Sequence, residues 1–186
     1  VDDSDLAYMH GYGGPLKEVL GVWAEECDGL FGGETRRIEF QDDFGACSGS
    51  YDSKRYCELS HLDGARALAT YAEDFYAGRP AVTVNEYGDG RAFYIAADVE
   101  PNMLGDFYGT LCDQAGIDPV LHTPDGVAAH RRAQPDRSFL FVLNHNDTEA
   151  PVDLGATVYR DMLADAPRTG TINMEPYGVL VLEEPE

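Results

Sequence analysis

No stretch of this chain approaches the ~18 consecutive apolar residues of a membrane-spanning helix, and no basic then apolar leader opens it. A helical membrane span is therefore not expected. The four cysteines, Cys27, Cys47, Cys57 and Cys112, make no C-x-x-C pair, which removes the zinc-ribbon and dithiol motifs. Their irregular spacing predicts a reduced, cytoplasmic setting. His10, His61, His122, His130 and His145 form neither H-x-x-x-H nor H-E-x-x-H. There is no Walker loop and no G-x-G-x-x-G after a strand, so no metal and no cofactor is predicted. Internal repeats and low-complexity segments are lacking too. Basic residues are scarce: 13 Lys and Arg against 34 Asp and Glu, a formal charge of −21. Eight basic residues face 23 acidic ones up to Asp118, and five face 11 beyond it, so the imbalance is not a tail effect. Such a field repels phosphate backbones and anionic membrane surfaces, which excludes nucleic-acid and membrane partners.

What remains is ordinary for a globular chain: 186 residues, 44% hydrophobic and 25% charged. The organising stretch runs from Ala65 to Ala97. Three runs rich in Val, Thr, Tyr, Phe and Ile are cut by Gly78-Arg79-Pro80 and Gly88-Asp89-Gly90, the pattern of strands joined by tight turns. Val82 and Val84 share one face of the middle run; Phe93 and Ile95 share a face after the turn. Upstream, Pro15 suits a first helical position, and Leu16, Val19, Leu20, Trp23 and Cys27 recur at helical spacing towards Asp28-Gly29. Gly21 within that helix suggests either close backbone packing or tolerance. Arg36 to Phe40 and Cys57 to Leu62 read as strands, with a polar surface loop from Gln41 to Lys54. Pro101 opens a second helix carrying Leu104, Phe107, Tyr108, Leu111 and Ala115, which Gly116 ends. Helices flanking strands predict an α/β domain over residues 1–118.

From 119 to 186 the helical period disappears. Val127 to Arg131, Ser138 to Leu143, Ala150 to Leu154, Thr157 to Met162, Gly170 to Met174 and Gly178 to Leu182 are short runs separated by Pro, Asp, Asn and Gly. They predict a small antiparallel all-β sandwich or barrel.

Candidates for chemistry are few. Gly45-Ala46-Cys47-Ser48-Gly49 has the form of a nucleophile elbow, but neither an apolar strand precedes it nor a helix follows it, so an exposed loop thiol is the simpler reading. Cys27 and Cys112 are expected to be inert core thiols on helical faces. A pair of carboxylates for glycoside hydrolysis must converge at ~5–5.5 Å for retention. Glu25 and Glu26, adjacent on a helix, and Glu73 and Asp74, adjacent on a strand, cannot do so. His61-Leu62-Asp63 and His145-Asn146-Asp147 could each orient an imidazole; for the second, hydrogen bonds to a turn backbone are the ordinary explanation. Trp23 is expected in the core or at an interface. Phe75 and Tyr76 are consecutive, so one of the two faces outward, and beside Arg79 it would make a subunit-contact anchor. The candidate interface is thus Trp23, Phe75, Tyr76 and Arg79; the candidate catalytic set is empty.

Asp74 to Asn85 followed by Tyr87 to Tyr94 resembles the trimerisation domain of family 42 glycoside hydrolases, the bacterial β-galactosidases. Asp2 to Leu6 and Gly11 to Glu26 are similar to the Gly-Pro-Leu helix region of the same domain. Phe139 to Asn146 and Met174 to Val181 resemble the family's small C-terminal β-domain, and Phe40 to Tyr56 is the poorest match. The resemblance implies a TIM-barrel catalytic domain, a trimerisation domain and a β-domain in the full enzyme, with both catalytic glutamates in the barrel, so none can be carried over to this chain. It implies a glutamine-amidotransferase-like, flavodoxin- or Rossmann-like layered fold for residues 1–118, lacking its N-terminal portion and so exposing a sheet edge. The expected function is assembly: a homotrimer in the parent, in contact with the barrel, of an enzyme that hydrolyses terminal non-reducing β-D-galactosides with retention. The alternatives are an amidotransferase-like thiol hydrolase using Cys47, and a carbohydrate-binding module in the β-domain.

Overall fold

A computed structural model describes residues 13–185, and the expectations for Val1 to His10 and for Gly11-Tyr12 lie outside them. The chain divides into two compact units between Ile117 and Asp118. The predicted α/β layered fold is not found. Half of the chain is strand and 13% helix, and the strands pair antiparallel rather than as a flavodoxin-like layer.

In the first unit a 3-10 turn, Gly14–Leu16, runs into a single-turn helix α1, Lys17–Leu20. The strands β1 (Val22–Gly29), β2 (Arg36–Phe40), β3 (Ser50–Leu62), β4 (Arg66–Tyr71), β5 (Pro80–Tyr87), β6 (Gly90–Ile95) and β7 (Ala97–Val99) follow, and then helix α2 (Pro101–Ala115). The long first helix therefore does not form. Gly21 ends it in the left-handed region at φ 62°, and its carbonyl accepts the N–H groups of Asp63 and Ala65. A Cβ there would meet Asn85 Cγ at 2.6 Å and the Ala65 nitrogen at 2.7 Å. Of the two readings of Gly21, close packing is the correct one. Beyond it Val22 and Ala24 are buried on one face while Trp23 and Glu25 take the other, a strand alternation. The spacing of Val19, Leu20, Trp23 and Cys27 only imitated a helical stripe.

The polar stretch from Gln41 to Lys54 is likewise not all loop. It is a tight turn at Phe44–Cys47 leading into the 13-residue β3, where Tyr51 and Ser53 face inward and Asp52 and Lys54 outward. Polar residues on the inward side hid the period of two.

The strand pairing closes on itself. β1 and β2 lie end to end along one side of β3, pairing Cys27 with Glu58 and Arg37 with Asp52. β7 lies along the other side of β3, pairing Val99 with Ser53. β2, β4, β5 and β6 continue the wall. β6 passes into β7 through Ala96, whose N–H donates to the Ala81 carbonyl and whose carbonyl accepts from Glu58 N–H. The ring β3–β2–β4–β5–β6/β7 is thus continuous, and closure removes the exposed parallel-sheet edge expected from the sequence. Inside lie Ile38, Leu68, Tyr71, Val82, Met103 and Phe107, the last two from α2. Each such side chain contributes about 1.5–3 kcal/mol on burial. The Tyr71 hydroxyl, buried among them, donates to the Ala96 carbonyl at 2.6 Å. β5 is buried on both faces from Pro80 to Val84, so its alternation is not one of inside and outside.

The second unit holds β8 (Val127–Gln134), β9 (Arg137–Asn144), β10 (Ala150–Asp153), β11 (Tyr159–Asp161), β12 (Ala166–Arg168), β13 (Thr171–Met174) and β14 (Val179–Glu183). A five-stranded sheet in the order β12-β11-β14-β9-β8 faces a two-stranded one, β10-β13. Val127, Leu140, Val142, Leu180 and Leu182 from the first, and Ala150, Val152 and Met174 from the second, form one core. Turn chemistry fixes the ends: Asn144 Nδ2 donates to the carbonyls of Thr148 and Glu175, and its Oδ1 accepts from Asn146 N–H.

Candidate functional site

Trp23 and Arg79 meet at one imidazole. Trp23 lies opposite His61 in the β1–β3 register, and the two rings stack with centroids 4.3 Å apart and planes 12° from parallel. His61 Nε2 is 2.6 Å from Glu25 Oε2. A carboxylate only accepts, so Nε2 is the donor. Nδ1 faces the Arg79 guanidinium at 3.4 Å. The sequence suggested that His61 could be an oriented imidazole, and so it is, but Glu25 orients it from the neighbouring strand. Asp63, the nearby carboxylate, instead pairs with Lys17 at 2.9 Å. A Trp, a His, a Glu and an Arg thus make one partly exposed polar-aromatic patch.

Phe75 and Tyr76 differ in exposure as expected, but they lie in the turn after β4 rather than on a strand, with their rings still 4.6 Å apart. Phe75 is 65% exposed, while Tyr76 is fully buried against Tyr71 in the barrel core. The interface candidates with accessible surface are therefore Trp23, Phe75 and Arg79. Among the described exposed aromatics outside the candidate set, the most exposed is Phe31, 80% exposed, in the Leu30–Thr35 excursion between β1 and β2. Its signal was the Gly32-Gly33 that follows it.

The cysteines reverse their expected places. Cys27 is on strand β1 and exposed, Cys112 is an exposed position of α2, and Cys47 is fully buried. The turn bearing Cys47 is strapped to α2. Thr110 Oγ1 accepts Ala46 N–H at 2.9 Å, and a Cβ on Gly45 would collide with the Thr110 side chain at 2.3 Å. Burial, reinforced by the Asp106 carboxylate, pushes the Cys47 thiol up to about 11. That is the opposite of the depressed pKa a thiol nucleophile needs. Cys47 is a core thiol.

Carboxylates do not converge. Glu25 is the unpaired residue of a register shift between Ala24 and Glu26 in β1, and it is held by His61. Glu73 and Asp74 sit in the bend after β4, not on a strand, and pair with Arg37 and Arg36 respectively. In the second unit an open cleft of about 710 Å³ is lined by the β8–β9 turn, Arg160, Glu183 and Glu184. Glu183 and Glu184 are chain neighbours and leave β14 on opposite sides. Glu184 is tied to Arg131 at 2.7 Å and accepts from Ser138. Among the described residues no group of three or more His, Cys, Asp or Glu is placed to hold a metal, and no helix is long and apolar enough to cross a membrane.

Comparison with known proteins agrees from end to end. Residues 1–118 match the family described as the β-galactosidase trimerisation domain, and residues 126–184 the β-galactosidase C-terminal domain. A β-galactosidase of Planococcus sp. (strain L4), BgaP, is 41% identical over 182 residues, 98% of this chain and 27% of its own length. BglY of Alicyclobacillus acidocaldarius is 36% identical over 188 residues, again 27% of its length. The crystal structure of a β-galactosidase from Bacillus circulans sp. alkalophilus superposes with a TM-score of 0.89 at 38% identity, over 97% of this chain and 27% of that one. The chain spans about a quarter of the length of the curated relatives it matches. On these matches the chain belongs to the family 42 β-galactosidases, as their trimerisation domain followed by their C-terminal domain.

Proposed function

We propose that this chain is the non-catalytic assembly region of a β-galactosidase. Its first unit joins three subunits, and both units support the catalytic domain of a protein that hydrolyses terminal β-D-galactosides with retention. The observation that carries the reading is the match of nearly the whole chain to two named non-barrel domains, at 27% of the length of relatives that are β-galactosidases. The local chemistry is of the same kind. Glu25, Glu73, Asp74 and Glu184 are engaged with His61, Arg37, Arg36 and Arg131, and the aromatics Trp23 and Phe75 are of the type enriched at subunit contacts. Trp23, Phe75 and Arg79 are the residues we assign to that contact. Light scattering tests the assembly: the expected mass is three times the 20.4 kDa of one chain, and a monomer up to high micromolar concentration would refute self-association. A chromogenic galactoside tests the rest. The longer protein turns it over and the 186-residue chain does not; turnover by the chain alone refutes the non-catalytic reading.

A further inference from the structure

Strands β9 and β14 of the second unit's five-stranded sheet are apolar on both faces, and only one face is used by the unit's own core. Leu140, Val142, Leu180 and Leu182 point to the β10–β13 layer. The residues between them, Phe139, Phe141 and Leu143 on β9 and Val179 and Val181 on β14, point the other way. Register places these in one block, Leu143 beside Val179, Phe141 beside Val181 and Phe139 beside Glu183. None of the five belongs to the core of the unit. Met162, 41% exposed, extends the block beside Val181, to whose carbonyl its N–H is bonded. An antiparallel sheet with one solvated face reads as alternating apolar and polar residues, and a sheet that is apolar on both faces is covered on both. The rim of the block is polar and mixed in charge, with Glu183 on the same face beside Phe139. Arg132 lies opposite Phe139 and His130 opposite Phe141, while Arg160, beside Glu183, is bound to Asp165.

We propose that this outer face docks onto an apolar surface of the part of the same β-galactosidase polypeptide that lies outside this chain. Roughly three quarters of the length of the relatives is outside the matched region, so the longer protein has ample surface to cover it. The proposal rests on the reading that the chain works within such a protein.

The test is the rate of thiol alkylation, read peptide by peptide, at Val179→Cys and Val181→Cys, with Thr171→Cys on the opposite layer as reference. Each is made both in the 186-residue chain and in the full-length protein. The two outer-face thiols are expected to react at least tenfold more slowly in the full-length protein, with the Thr171→Cys thiol unchanged. Equal rates in the two proteins overturn the proposal. So does slow reaction already in the 186-residue chain, which would place a second copy or another part of this chain on the face, and so does equal slowing at Thr171→Cys. Carbene footprinting of residues 137–144 and 179–183 in the unsubstituted proteins gives the same comparison if a cysteine variant misfolds. Galactoside turnover by the full-length protein is measured beside it, so failure of the functional reading is seen separately from failure of the docking.

Discussion

The indole of Trp23 lies flat on the imidazole of His61, 4.3 Å between centroids, although the two are on different strands of the first unit. The stack is a cross-strand pair whose far edge is fixed by Glu25, so its members act together. A double-mutant cycle with Trp23→Ala and His61→Ala, followed by urea unfolding, should give a coupling energy of about 0.5–1.5 kcal/mol. Additive effects would mean that the stack contributes nothing of its own.

Gly21→Ala should destabilise the chain by at least about 1–2 kcal/mol. The substitution combines a left-handed backbone with a Cβ 2.7 Å from the Ala65 nitrogen. Gly105→Ala, in open space on α2, is the control and should be neutral or slightly stabilising. Denaturant midpoints separate the two.

Thiol counting checks the reversed cysteines. Two of the four, Cys27 and Cys112, should react with an aromatic disulfide reagent in the folded chain, and Cys47 and Cys57 only after denaturation. Rapid alkylation of Cys47 near neutral pH would contradict both its burial and its raised pKa.

Asp161 supplies a pH dependence. Its carboxylate is buried, which by itself would raise its pKa, but the amides of Ala164 and Leu163 and the Arg168 guanidinium together hold it below the ordinary value. A carboxyl whose folded pKa is depressed contributes stability above the unfolded pKa, ~3.9, and loses it as pH falls through the folded value. Acid should therefore weaken the second unit from about pH 4 downward, and Asp161→Asn should flatten that fall while costing about 1–3 kcal/mol at pH 7. An unchanged acid limb in the Asp161→Asn melting curves would exclude this carboxylate as its source.

The parts visible in the sequence were those whose structure is decided locally. The β5–β6 hairpin declared itself through Gly88-Asp89-Gly90, and α2 through Pro101, its apolar spacing and Gly116, which is left-handed at φ 63°. The six runs read as strands in the second unit all overlap strands, because each is bounded by turn residues; the three-residue β12 went unseen. Ring closure was not legible, since Ser53 pairs with Arg36 on one side and Val99 on the other, partners 63 residues apart in the chain. The patch at His61 was half legible. Its imidazole was singled out, but its stacking and its carboxylate come from a strand that had been read as a helix. Cys47 was misplaced because what buries it, Thr110 and its helix, lies 63 residues away.

Because β1 and β2 are each registered against β3, and Leu30 still donates its N–H to the Arg55 carbonyl of β3, only the Phe31–Glu34 turn between them carries none of that register. Its length is a free variable of the architecture. A short tag grafted between Gly32 and Gly33, where an added Cβ meets nothing, is expected to leave the ladders on either side in place.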